Sequence, residues 1–250
     1  MRGDAMNKPL VSCIVVSHNK GRWLPDCLRS LINQTYRPME IIVCDNGSTD
    51  NSPEIIRSFD GAMQFKSIFK DEALGVAKAF NLCLSFASGE YIVMLGADDV
   101  AKPNHVELLM GAANKHPEAD LIYGDIEIID GNGTHVKKSS AADGLKHIWN
   151  RCSIGHATGA TKRTLFEEIG GYDESLKMSI DWEFILRAIK AGKKLFYCGE
   201  TGYRWRRIKG SDQITMKYGL RSKERIEAHS YIRRKHSLVG SCQCGCGAML

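Results

Sequence analysis

The first hundred residues alternate strand-length apolar runs with segments of helical periodicity, and few architectures accept that alternation. Leu10 to Ser17, Met39 to Cys44, Met63 to Phe69 and Tyr91 to Leu95 are the apolar runs. Between the first two, Leu24, Cys27, Leu28 and Leu31 recur at helical spacing, with Pro25 tolerated in the first turn. Ser52 can cap the next helix, with Pro53 at its first position. Ala77, Phe80, Asn81, Leu84 and Ala87 lie near one face of a third. This pattern implies an α/β fold around a mostly parallel sheet flanked by helices. Ligands of such sheets bind beyond the carboxyl ends of the strands. Here three strand ends are polar: Ser17-His18-Asn19, Asp45-Asn46-Gly47-Ser48 and Asp98-Asp99.

The second half is more mixed. Pro103-Asn104 opens a helix running to about His116, Asp120 to Ile129 holds short strands, and Gly131-Asn132-Gly133 reads as a hairpin turn. Trp182, Ile185, Leu186 and Ile189 form the stripe of a helix, Leu195 to Cys198 a strand, and Met216 to His236 a basic helix. No repeat or low-complexity linker divides the chain. It reads as one domain over residues 9–221, with halves at 9–99 and 100–221, followed by a basic tail over 222–250.

No apolar run approaches the ~18 residues of a membrane span, and the N-terminus lacks the apolar core of an export signal. The nine cysteines are an odd number, most of them scattered through apparent core elements. A reducing, cytoplasmic setting therefore fits better than a disulfide framework. Net charge is +5, with basic clusters at Arg204, Arg206, Arg207 and Lys209 and again from Arg221 to Lys235. The first cluster reads either as a solvated basic loop or as a mobile loop that folds over a diphosphate. Arg233-Arg234-Lys235 could hold the protein peripherally at anionic lipid. Cys242, Cys244 and Cys246 could hold Zn²⁺, although C-x-C spacing is atypical, or could be exposed thiols of a disordered end.

Several residues could carry chemistry. Asp98 and Asp99 are adjacent carboxylates at a strand end. Such a pair suits Mg²⁺ or Mn²⁺, or else serves the loop before the next helix. Asp45 could accept hydrogen bonds from a nucleobase or ribose, or could close an Asx turn. Asp181 opens the Trp182 helix, where the helix dipole alone would favour an acid, or it is a general base. Glu183 should point elsewhere. No dinucleotide fingerprint or phosphate loop is present, which counts against dehydrogenases and P-loop ATPases.

Together these segments resemble the inverting family 2 glycosyltransferases of the GT-A fold, over about Pro9 to Thr215. Val11 to Asn19 is similar to the first strand and nucleotide loop, and Ile41 to Asp50 to the V-D-D-G-S-T-D signature. Gly89-Glu90-Tyr91-Ile92 precedes Asp98-Asp99 as it precedes D-x-D-D. Gly170-Gly171-Tyr172-Asp173 with Asp181-Trp182-Glu183 and Arg187 resembles the acceptor-side motif. The resemblance implies a nucleotide-sugar donor, first of all a UDP-sugar. Ser17, His18, Asn19, Asp45, Lys78, Asp98, Arg206 and Arg207 would line the nucleotide site. Asp98 and Asp99 would hold Mn²⁺ or Mg²⁺, and Asp181 would be the base. The acceptor would be a glycan, a lipid-linked sugar or a protein, with single-sugar addition and no nucleic acid partner. The chain departs from the pattern where Gly96 replaces the first Asp of D-x-D and Asn46 the second Asp of the nucleotide signature. A nucleotidyltransferase and a non-catalytic sugar-nucleotide-binding module are the alternatives.

Overall fold

The computed structural model describes residues 8–62, 64–208 and 222–238. β1 (Val11–Ser17), β2 (Met39–Asn46), β3 (Gln64–Lys70) and β4 (Tyr91–Gly96) alternate with α1 (Leu24–Ile32), α2 (Ser52–Arg57) and α3 (Val76–Ser85). After them come β5 (Val100–Ala101), α4 (His105–Lys115), β6 (Leu121–Ile129), β7 (His135–Ser139) and α5 (Gly144–His147). β8 (Ala160–Lys162), α6 (Arg163–Ile169), α7 (Ile180–Lys190), β9 (Leu195–Arg206) and α8 (Lys223–Lys235) complete the described elements.

The strands form one sheet in the order β3-β2-β1-β4-β8-β6-β9-β5, with β7 on β6. β3, β2, β1 and β4 run parallel, and β8 is antiparallel to both β4 and β6. The chain moves outward from β1 to β2 and β3, then returns to the other side of β1 for β4. The switch in direction opens a crevice at the carboxyl ends of β1 and β4.

β1, β2 and β4 are covered on both faces and read as largely apolar runs, whereas edge strand β3 has no fully buried residue. Val11, Cys13 and Val15 of β1 face a core shared with Leu24 and Leu28 of α1 and Val106 and Leu109 of α4. Ile14 faces a second core with Phe80 of α3 and Trp182 and Ile185 of α7. At the amino ends of the strands, buried Glu40 accepts from Ser12 Oγ (2.7 Å) and Ser88 N (2.7 Å) and pairs with Lys66 (2.7 Å).

Three segments differ from the sequence reading. Ser52 does not cap α2. It is the helix's first residue, and its buried hydroxyl bonds Asp50 Oδ1 (2.6 Å) and accepts from Lys20 N (3.1 Å). Residues 121–129 form one strand, with Asp130 to Thr134 as the turn into β7. β9 runs for twelve residues, well beyond Cys198. Gly199 and Gly202, at φ +81° and +73°, let it pass two register shifts against β6 without ending.

The basic helix spans Lys223–Lys235 and is docked against the body: Ala228 and Ile232 are buried in the core that holds Trp182. Tyr231 OH (2.9 Å) and Lys235 Nζ (2.6 Å) donate to Asp173 Oδ2, and Lys235 also pairs with Glu183 (2.8 Å). Lys209 and the three tail cysteines lie outside the described residues. Among the described residues no helix is long and apolar enough to cross a membrane.

Candidate active site

The crevice begins with two buried oxygens, on adjacent strand ends, that lack partners among the described residues. Ser17 and Asp45 are register partners at the ends of β1 and β2. Both are buried. Asp45 Oδ2 accepts from Ser48 N (3.1 Å), closing the turn, while Asp45 Oδ1 and Ser17 Oγ have no hydrogen-bond partner among the described residues. The turn and ligand readings of Asp45 are therefore compatible, since each uses a different oxygen. A buried acceptor left unmade costs about 1–3 kcal/mol, and an incoming N–H or O–H recovers it.

Around this pair the loops after β1 and β2 are laced together. Asn19 N donates to Ser48 Oγ (2.9 Å), and Asn19 Oδ1 accepts from Thr49 N (2.8 Å). Asp50 Oδ2 accepts from Gly21 N (2.9 Å). His18 is exposed, with Nδ1 2.9 Å from Asn46 O. Buried Asn46 uses its side-chain oxygen to accept from Leu74 N (2.8 Å), just before α3. Lys78 stands exposed in the first turn of that helix.

Asp98 and Asp99 part company. Asp99 is 4% exposed, and both its oxygens are engaged by β9: Oδ2 by Tyr203 OH (2.5 Å) and Oδ1 by Arg206 N (2.8 Å). Burial and the adjacent Asp98 charge push the Asp99 carboxyl well above the usual carboxylate range, against these bonds. A Cβ at Gly96 would run into the Asp99 carboxylate, so this inward turn requires glycine at 96. Asp98 faces Lys20, with Nζ 3.7 Å from Oδ2. Lys20 is a cation beside Asp98 that sequence reasoning passed over, because no phosphate-loop motif marks it.

The arginine cluster is not one loop. Arg204 and Arg206 lie in β9. Arg204 pairs with Glu127 (3.3 Å). Arg206 is buried. Its guanidinium donates to Asp98 O (2.9 Å), Gly131 O (2.9 Å) and Asp26 Oδ2 (3.3 Å), so it holds the Asp98 loop from behind. Arg207 is exposed, with its guanidinium over the Trp205 ring.

The other flank of β4 carries Asp181. Asn81 of α3 and Tyr172 exchange two bonds (2.9 and 2.8 Å), fixing the loop that leads to α7. Arg187 supports that loop by donating to Ile169 O and Gly171 O (2.5 Å each). Tyr172 OH contacts Met94 Sδ of β4 (3.0 Å) and His156 Nδ1 (2.9 Å). Asp181 sits in the first turn of α7, half-buried, with Oδ1 accepting from Trp182 N (2.9 Å). Its charge acts on Cys152, His156, Tyr172 and Arg225. Burial lowers His156 against the pull of Asp181, so the imidazole is neutral at pH 7. Glu183 points away, fully buried against Arg187, Lys235 and His236.

The solved structure of Staphylococcus aureus TarS 1–349 in complex with UDP-GlcNAc superposes with a TM-score of 0.70 at 19% identity, covering 90% of this chain and 66% of that one. The mannosyltransferase PcManGT from Pyrobaculum calidifontis, in complex with GDP-Man and Mn²⁺, gives 0.65 at 17% identity, covering 95% and 66%. Both likenesses establish the GT-A fold. A PGL/p-HBAD biosynthesis glycosyltransferase of Mycobacterium tuberculosis is 30% identical over 184 residues, 73% of this chain and 70% of that protein. Among curated relatives the chain spans from 19% to 70% of their length. The model of glycosyl transferase family 2 matches residues 12–208, and the chain belongs to that family.

Proposed function

We propose that this chain transfers a sugar from a nucleotide-sugar donor to an acceptor hydroxyl, with inversion at the anomeric carbon. The observation that carries the reading is the pair of unpartnered oxygens at Ser17 and Asp45, placed in the crevice whose rim holds Asp98. Asp45 Oδ1 would accept from the N–H of a base, and a uracil offers one. Ser17 Oγ would bond beside it, and exposed His18 would pack on the base, with Asn19 holding the loop. Lys20, and Lys78 at the start of α3, would add positive charge near the diphosphate.

The residues fit a divalent ion through Asp98 alone. Mg²⁺ and Mn²⁺ accept one protein carboxylate when substrate phosphates complete the shell, whereas both oxygens of Asp99 are committed to β9. Held by Asp98, such an ion supplies positive charge against the departing diphosphate. Asp99 and Arg206 would keep Asp98 in place, and Arg206 would not reach the donor. Exposed Arg207 would be the one of the two free to approach it.

Asp181 would take the proton from the acceptor hydroxyl as that oxygen attacks the anomeric carbon and the sugar–phosphate bond breaks. The Tyr172–Met94 contact ties the loop before α7 to β4, the strand just before Asp98, which supports a base and a leaving group on two sides of one strand. Of the basic end of α8, Lys235 is committed to Asp173 and Glu183, so membrane contact there would rest more on exposed Arg234.

Turnover of a panel of UDP- and GDP-sugars, with and without Mn²⁺, tests the reading. Release of the nucleoside diphosphate coupled to a glycosylated product is expected. Tight nucleotide binding with no turnover of any donor would instead make the chain a binding module.

A further inference from the structure

α8 lies beyond the family-matched residues, yet it forms a wall beside the proposed base. Four contacts fix it there: His229 Nε2 to Ser179 Oγ (3.1 Å), the His229 ring against Trp182 (4.9 Å), and the Asp173 bonds from Tyr231 and Lys235. Arg225 precedes His229 by one turn on the same face. Its backbone is set by the Ser222 cap, which accepts from Arg225 N (3.2 Å).

Asp181 and Cys152 act electrostatically on the Arg225 guanidinium, yet among the described residues neither side chain bonds it. Its Nε is buried and has no hydrogen-bond partner among the described residues. An arginine serving only to neutralise Asp181 would be expected to bond it, because paired forks are the strong geometry for guanidinium and carboxylate. A buried donor left without an acceptor is costly, and an arriving ligand oxygen removes that cost. The surroundings favour an anion. At neutral pH Cys152, His156 and Tyr172 are uncharged. Of the acids on this side, Asp173 and Glu183 are matched by Lys235 and Arg187, which leaves Asp181 as the one whose charge acts on Arg225.

We propose that Arg225 binds an anionic oxygen of the acceptor, a phosphate or a carboxylate carried next to the hydroxyl that Asp181 deprotonates. The acceptor is then an acidic sugar or sugar phosphate rather than a neutral glycan. This rests on the glycosyltransferase reading above. A site with a buried polar group awaiting its partner discriminates strongly against ligands that lack that partner.

The test is a titration of the UDP-loaded protein with methyl glucoside, methyl glucuronide and methyl glucoside 6-phosphate. At least one anionic ligand should bind at least about tenfold more tightly than the neutral one, and the two anionic arms separate carboxylate from phosphate. Arg225→Gln should erase the difference, and Arg225→Lys should restore part of it, which guards against a variant that merely loosens α8. UDP affinity should stay unchanged in both. Equal binding of all three ligands by the wild type would overturn the proposal, as would an equal loss for neutral and anionic ligands in Arg225→Gln. Failure of the wild type to bind UDP would instead count against the donor-site reading.

Discussion

Gly96 and Asp99 compete for one space: a Cβ on residue 96 would meet the Asp99 carboxylate, which is turned inward to Tyr203 and Arg206. The missing first acid of D-x-D and the buried last acid of the pair are thus one arrangement. Restoring the family residue alone should not restore a two-carboxylate site. Gly96→Asp should cost about 1–3 kcal/mol of overpacking, seen as a lower Tm. Its Mn²⁺-dependent affinity for UDP should not rise. Tighter Mn²⁺-dependent binding at wild-type stability would refute the linkage.

Asp45→Asn keeps an oxygen for the Ser48 turn but removes the charge and the second acceptor. A charge-assisted bond of about 1.5–3 kcal/mol corresponds to roughly a 10–100-fold loss of UDP affinity. Thermal stability should hold or rise, since that oxygen is buried and without a partner among the described residues. Calorimetric titration with UDP, beside a melting curve, checks both halves of the expectation.

Asp181→Asn should lower transfer by about 10²–10⁴ while leaving UDP binding intact. Steady-state rates at saturating donor, together with a UDP titration, give the answer. A wild-type rate would remove Asp181 from the mechanism.

Asp173 anchors α8 and is sensitive to acid. Despite the cost of its burial, the bonds from Lys235, Ser175 and Tyr231 hold its carboxyl well below the usual carboxylate range. A depressed folded-state pKa gives stability that is present above the unfolded value, near 3.9, and lost as pH falls through the folded one. Asp173→Asn should therefore speed hydrogen exchange in α8 at pH 7. The difference from wild type should narrow as pH drops below about 4. An unchanged α8 exchange rate at pH 7 would show that the anchor lies elsewhere.

The parallel half of the sheet was legible because strands covered on both faces are apolar through their middles, as Cys13 to Val16, Ile41 to Cys44 and Ile92 to Leu95 are. β9 was not, since Gly199 and Gly202 look like the end of a strand when they are its bends. Adjacent Asp98 and Asp99 carry no local sign of which one is buried. That depends on Tyr203, 104 residues later in the chain. α8 reads in sequence as a basic helical tail because its charges outnumber its apolar residues. The signal was the Ala228–Ile232 pair one turn apart, and the carboxylates that receive its lysine, Asp173 and Glu183, are far away in sequence.

The long reach from β9 back to Asp99 also bears on modularity. Every residue proposed to touch the base or the metal is present by residue 98, which invites division of the chain into a donor half and an acceptor half. Yet the loop bearing Asp98 takes its shape from Tyr203 and Arg206. A donor half excised at residue 99 could pair its four parallel strands and still lack the working rim of its own crevice. For exchange between relatives, by recombination or by design, residues 11–99 and 195–206 form one inheritable unit, and a crossover between them would separate Asp98 from the strand that aims it.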